Sequence, residues 1–398
     1  MPNENGVSNT QKKSKLKLNN RQILVVRLIA VIMLILLLLF MAAEMLNIAS
    51  VSDVNDGIRN FVATLTPGGG YPYKINSSSV KHISVLNGNL FILTDEKTIS
   101  LDSTAKQVKS TQHTYSSPDM RTRNGRAIVF NRNGNRYRVE NRTDTLFTGE
   151  TAQEEKIITC SIGAKGNIAL ATLCDKAKSK LTVVNSNYKR EVFVWKCAQD
   201  SIVSVDLSNN GKYAAVSVIG AREGEIYSKI YIFDFDYAEP VSEFEYFGTA
   251  IIEVRFVSNN NVVAIGDHLI SFIKGLDKKE DKSYDASTLS AYTFDEDGNT
   301  ILVLSEYGST NSEKLTRYNS SFSVDFEKKY TSNVKYVYAS GSKVSVLLDD
   351  KAIVYRGNGD VYKELEADST SISLFNLGNN TYIYNIGNIV KGTEVKER

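Results

Sequence analysis

Eight turn signals about 37 to 49 residues apart, a short strand-like segment on each side of every turn, and no useful helical period after Leu65 predict an all-β fold of repeated antiparallel sheets. That class is a β-propeller of seven or eight blades, here preceded by a single transmembrane helix. The clearest copy of the unit is 201–236, SIVSVDLSNNGKYAAVSVIGAREGEIYSKIYIFDFD. Val203, Val205 and Leu207 alternate with more polar neighbours, the period of a strand buried on one face. Asn209, Asn210 and Gly211 tolerate positive φ, so the chain can reverse there. Residues 213–218 make a second, nearly continuous apolar strand. After a polar excursion, 229–235 makes a third. One such meander cannot cover its own faces; several arranged radially can.

Upstream of the repeats the chain has a different character. The net charge of +2 averages two unlike parts. Lys12, Lys13, Lys15, Lys17, Arg21 and Arg27 precede Glu44 with only Glu4 against them, so the remainder is close to neutral. Bulk charge therefore does not predict nucleic-acid binding. Residues 1–22 read as a disordered, basic cytoplasmic tail. Residues 23–43, ILVVRLIAVIMLILLLLFMAA, hold about 20 mostly apolar positions, the length needed to cross a bilayer. Arg27 lies one turn inside and can reach back to the headgroups. The basic flank is N-terminal, so the N-terminus is expected in the cytoplasm and the bulk outside. A cleaved signal peptide would carry a shorter apolar core, about 7 to 15 residues, and small residues at its cleavage site. Ile48-Ala49-Ser50 fits that poorly.

Residues 44–70 read as a helical stem and a glycine-rich linker. Val51, Val54, Ile58, Phe61 and Leu65 recur at spacings of three and four and form one apolar stripe. The stripe is expected to pack the helix under the following domain, because two heptads are too few for a dimerising coiled coil. Pro67-Gly68-Gly69-Gly70 reads as a hinge. The propeller occupies 71–391 and a short C-terminal tail follows over 392–398. The last repeat has room for only two or three strands, so a partner from 71–75 is expected to complete it and remove the open sheet edges.

No chemistry stands out in the repeats. The Gly-His and Trp-Asp pairs of WD repeats and the paired glycines of kelch repeats are missing, and the single Trp195 excludes a repeated tryptophan motif. His82, His113 and His268 have no second ligand at metal spacing. Three cysteines, Cys160, Cys174 and Cys197, permit at most one disulfide and read as buried thiols. Asp295-Glu296-Asp297-Gly298 lacks the later ligands of a calcium loop and reads as a hairpin turn. Neither a catalytic triad, a cofactor nor a metal is nominated. The most distinctive segment is MRTRNGRAIVFNRNGNRYRVENR, which carries Arg121, Arg123, Arg126, Arg132, Arg136, Arg138 and Arg142. Arg121 with Arg123, and Arg136 with Arg138, each share a strand face. Guanidinium forks suit phosphate and carboxylate groups, so this is the candidate anion- or partner-binding patch; the competing reading pairs it with local acids such as Glu140.

With the apolar run, YPYKINSSSVKHISVLNGNLFILTD, ENRTDTLF and VSVDLSNNGKYAAVSV, the chain resembles an uncharacterised family of Gram-positive bacterial proteins with one N-terminal membrane span and a propeller-like exported domain. The resemblance implies a cell envelope and brings no activity, substrate or catalytic residue. The expected function is a non-enzymatic binding or scaffold module at the membrane, with a protein or envelope-polymer partner. The alternatives are a glycan-processing enzyme with its site in the ring's cleft, or a sensor ectodomain.

Overall fold

The computed structural model describes residues 23–31, 33–34, 38, 51–75, 79–306, 308 and 312–395. The basic tail, the rest of the 23–43 run and residues 44–50 lie outside that set. The chain divides into two compact units, 1–55 and 56–398. In the first, the described residues of the apolar run are helical and expose their side chains. No helix among the described residues is long and apolar enough to cross a membrane.

The second unit holds eight four-stranded antiparallel sheets. Seven are sequential meanders, over 80–112, 118–150, 157–197, 201–247, 251–283, 287–330 and 336–366. The eighth takes three strands from 371–391 and its fourth from Tyr73–Lys74, which pairs with Ile389 and Asn388. The expected clasp is therefore made, and the blade count is eight. The first strand of each blade is the innermost. In seven of the eight junctions, including that of Ser371–Leu377 with Val80–Leu86, it adjoins the first strand of its neighbour.

The second strands are sandwiched between neighbouring blades, which is why they read as continuous apolar runs. Asn89–Thr94 is buried along its whole length. Fully burying one such side chain, for example Ile92, stabilises by roughly 1.5–3 kcal/mol. Each inter-blade seam is a separate apolar cluster. Ile128, Phe130 and Val139 meet Ile157, Cys160 and Ile168 between blades two and three. At the closure, Ile83, Leu90 and Ile92 meet Phe375, Tyr382 and Ile389. The fourth strands are different: Lys278–Ser283, KKEDKS, is exposed almost throughout. Lysines on the outer rim discourage pairing with another chain.

Three local expectations change. The polar excursion after Val218 is not a loop. Tyr213–Arg222 and Glu225–Asp234 pair along their full length, and only Glu223 and Gly224, both at positive φ, turn the chain. The stem also docks the other way round. Helix α1, Val51–Thr64, does form, but from residue 56 onward its polar face meets the ring. Asp56 is almost fully buried, with its carboxylate 2.8 Å from Arg142 Nε and 2.9 Å from Thr143 Oγ1. Asn89 Nδ2 donates to Asn60 Oδ1 at 3.1 Å, and Arg59 pairs with Asp144. Ile58, Phe61, Val62 and Leu65 stay exposed. Docked this way, the helix gives the largely buried Arg142 its counter-charge, and turning the apolar stripe inward would take Asp56 away from it.

The glycine run that reads as a hinge is held down. Gly68 N–H donates to Thr104 Oγ1 at 2.8 Å and Gly70 N–H to Thr104 O at 3.0 Å. A Cβ on Gly68 would lie 2.4 Å from Lys106 N and Thr104 O, so only glycine fits this approach. Gly68→Ala is expected to lift the segment off the 102–106 turn. Hydrogen exchange should then rise at residues 66–70 while the amides of the inner strands keep their protection.

Candidate functional site

In a four-stranded meander the first and third turns lie at the same end of the sheet. All eight glycine- or asparagine-rich turns seen in the sequence are first turns, so they ring one mouth of the central channel. They enclose a cavity of about 570 Å³ lined by Asn87, Asn124, Asn209, Arg255, Glu296 and Tyr338 among others. The turns at 102–106 and 141–144, which hold the stem, are third turns and so belong to the same face.

At this mouth a buried ion pair ties four blades together. Arg123, from Pro118–Arg123, reaches Asp206 of Ser201–Leu207, with Nη1 3.0 and 2.8 Å from the two carboxylate oxygens. Its Nη2 also donates to Asn209 Oδ1 at 2.6 Å and to Phe256 O at 3.1 Å. Asp206 further accepts from Ser161 Oγ at 3.0 Å and from the Phe256 N–H at 2.8 Å. Burial alone would raise the Asp206 carboxyl; Arg123, Arg255 and the Phe256 N–H outweigh it and hold the group below its usual range.

Arg255 sits beside this pair. Its side chain is about a quarter exposed, and its Nη1 lies 3.6 Å from an Asp206 oxygen that Arg123 and Ser161 already use. Burial, more than any neighbour, pulls its pKa down. Deeper along the inner strands, burial raises Glu253 despite Arg121 and Arg255. His82 reaches solvent yet is ringed by protein; burial first, and Arg121 second, lower its pKa.

The seven arginines of the sequence patch do not share one face. Arg121 and Arg123 point into the channel strands, where Arg121 pairs with Asp119 at 3.2 Å. Arg132 meets the same Asp119 at 2.9 Å from outside. Arg126 lies against the Gly166 turn. Arg136 pairs with Glu150 at 2.9 Å on the exposed rim. Arg138 is buried against Glu140, which also takes Lys109 Nζ at 2.6 Å and Thr98 Oγ1 at 3.0 Å. Arg142 holds the stem. Arg255 and Asp206, the residues that sequence reasoning missed, carry no local motif. Only the ring brings them together with Arg123.

Among the described residues, no three histidine, cysteine or acidic side chains cluster in a way that could hold a metal. Asp295 is spent on its own turn, accepting from Asn299 N–H at 2.8 Å, Asn299 Nδ2 at 2.6 Å and Asp297 N–H at 3.0 Å. Cys160 and Cys197 are buried free thiols and Cys174 is half-buried. Burial pushes Cys160 well up, away from reactivity.

The sequence matches a family of unknown function, DUF5711, over residues 72–391. No curated protein matches it. Among solved structures, BamB from Moraxella catarrhalis is 10% identical, with a TM-score of 0.48 over 81% of this chain and 100% of that one. The Cps50 (Swd1) β-propeller domain of Myceliophteria thermophila is 10% identical, with a TM-score of 0.47 over 80% and 98%. The Pan2 WD40 domain of Neurospora crassa is 11% identical, with a TM-score of 0.41 over 56% and 71%. Likenesses this distant carry no function across.

Asp206→Asn should cost about 3–5 kcal/mol, because it leaves Arg123 buried without its counter-charge. A folded pKa held below the unfolded value means that the carboxylate's contribution is present above about pH 4 and lost as pH falls through the lowered folded value. Urea midpoints of wild type and variant should therefore differ at neutral pH and converge only in strong acid. Glu140→Gln should cost a similar amount, about 3–5 kcal/mol, by stranding Lys109 and Arg138, read as a lower urea midpoint at neutral pH.

Proposed function

The chain belongs to the DUF5711 family, and we propose that it is a membrane-anchored binding module whose ring mouth takes an anionic group of a partner. The 23–43 run is read as the anchor, with the basic tail in the cytoplasm and the ring outside, in the envelope of a Gram-positive bacterium as the sequence resemblance implies. The observation that supports binding is Arg255. It is a partly exposed guanidinium in a 570 Å³ concavity, and its neighbouring carboxylate is already committed to another arginine. A carboxylate- or phosphate-bearing segment of a protein or envelope polymer would complete its pairing. Pre-formed turns around the mouth supply backbone and amide groups that fix orientation.

Photocrosslinkers placed at Asn124, on the mouth, and at Lys279, on the outer rim, separate this reading from general stickiness. A specific adduct from intact membranes is expected at the mouth position only. Arg255→Ala should weaken it roughly tenfold or more, the scale of one charge-assisted hydrogen bond. Equal adducts at both positions, or none that respond to Arg255, would sink the proposal.

A second reading rests on Glu253, whose raised pKa inside the channel suits a general acid. It makes the ring a glycan-processing enzyme. Release of reducing ends from envelope glycan, abolished by Glu253→Gln and untouched by Arg255→Ala, would favour it over binding.

A further inference from the structure

The stem helix presents an unexpected surface. Ile58, Phe61, Val62 and Leu65 are spaced i, i+3, i+4 and i+7, and are 58, 65, 58 and 64% exposed. Asp56, Arg59 and Asn60, on the opposite side of the helix, are fixed to the ring by Arg142, Asp144 and Asn89. Neither face is therefore free to exchange with the other. The helix cannot roll its apolar side inward without breaking a buried ion pair.

We infer that this stripe lies in the bilayer interface, so that the mouth of the ring faces the membrane. The inference rests on reading 23–43 as a membrane anchor. Ala43 precedes Val51 by eight positions, which even when fully extended span no more than about 29 Å. The stripe is thus tethered within reach of the headgroup layer on the side where the anchor emerges. An amphipathic helix at that level buries its apolar face about 5–10 Å into the headgroup–acyl boundary. A second copy of the chain is the weaker occupant. Four side chains of this size leave roughly 100 Å² each to cover, about 800 Å² for a pair of copies, short of the roughly 1,200 Å² of a stable specific interface.

The orientation of the ring follows from where the helix is fastened. Its partners stand on the turn at 141–144 and beside the turn at Asn87, on the same face as the mouth. The following glycines are tied to the turn at 102–106 on that face too. A stripe immersed in lipid therefore aims the mouth at the membrane surface, where anionic headgroups or the membrane-proximal parts of other proteins would meet Arg255.

The test uses the full chain with Phe61→Trp, reconstituted in vesicles carrying lipids brominated near the headgroup end of the acyl chain. Trp195, half-buried against Tyr231 and Phe233, reports whether the ring is folded in the same sample. The tryptophan at position 61 should be blue-shifted, with at least half its emission quenched, while Trp195 is unaffected. Adding Ile58→Asp and Leu65→Asp should abolish the quenching without changing Trp195. Emission at position 61 that is red-shifted and unquenched overturns the inference. So does emission that is blue-shifted yet unquenched, since protein and not lipid then covers the stripe. Alkaline carbonate extraction of the same vesicles reads the anchor separately. Release of the chain would overturn the anchor, while the bromine result still decides the helix.

Discussion

A ring of sheets has to join its last blade to its first, and here the junction is small. Two residues, Tyr73 and Lys74, supply the missing edge of the eighth sheet. Behind them an apolar seam runs from Ile83 and Ile92 to Phe375 and Tyr382. Tyr382 also donates to Ser103 O at 3.1 Å, joining the last blade to the turn that holds the glycine run. Once the N-terminal segment must reach that edge, its route is constrained, and it crosses the turn face on the way. The docking of the stem and the position of the mouth both follow from this routing.

The mouth shows a similar economy. Arg123 and Asp206 come from blades two and four, and through Ser161 and Phe256 they also engage three and five. Buried ion pairs seldom add net stability over apolar packing, but removing one partner is costly. Their value here is positional: the pair sets the register of four inner strands at the point where the cavity opens. Arg255 shares the Asp206 carboxylate with Arg123, at the longer distance of 3.6 Å.

Much of this was legible before any coordinates. The turn beat read as seven or eight repeats because glycine and asparagine are needed where φ is positive, as at Asn87-Gly88 and Asn124-Gly125. Second strands were visible because burial on both faces demands an unbroken apolar run. The fourth strands were not, since Gln107–Gln112 and Lys278–Ser283 face solvent and are written in polar residues that resemble loops. The stripe on α1 was read correctly as a helix face, but its direction was not. A hydrophobic period says which side differs, not what lies opposite it, and Arg142 is 86 residues from Asp56. The arginine segment was conspicuous by composition, and Glu140 was a visible local partner, yet Asp206 lies in another blade and Asp56 in the stem. Only the blade geometry shows that most of that charge is matched within the chain.

The fastening of the stem has a mechanical consequence. A tether that entered the ring directly through Tyr73 and Lys74 would pull on a clasp two residues long, and a single tug could unzip the circle. A pull applied along α1 would meet the Asp56–Arg142 and Asn60–Asn89 contacts first, and then the glycines pinned to Thr104. Under such a pull the helix would act as a strain relief, like the knot inside a lamp base that keeps a jerk on the cord from reaching the terminals.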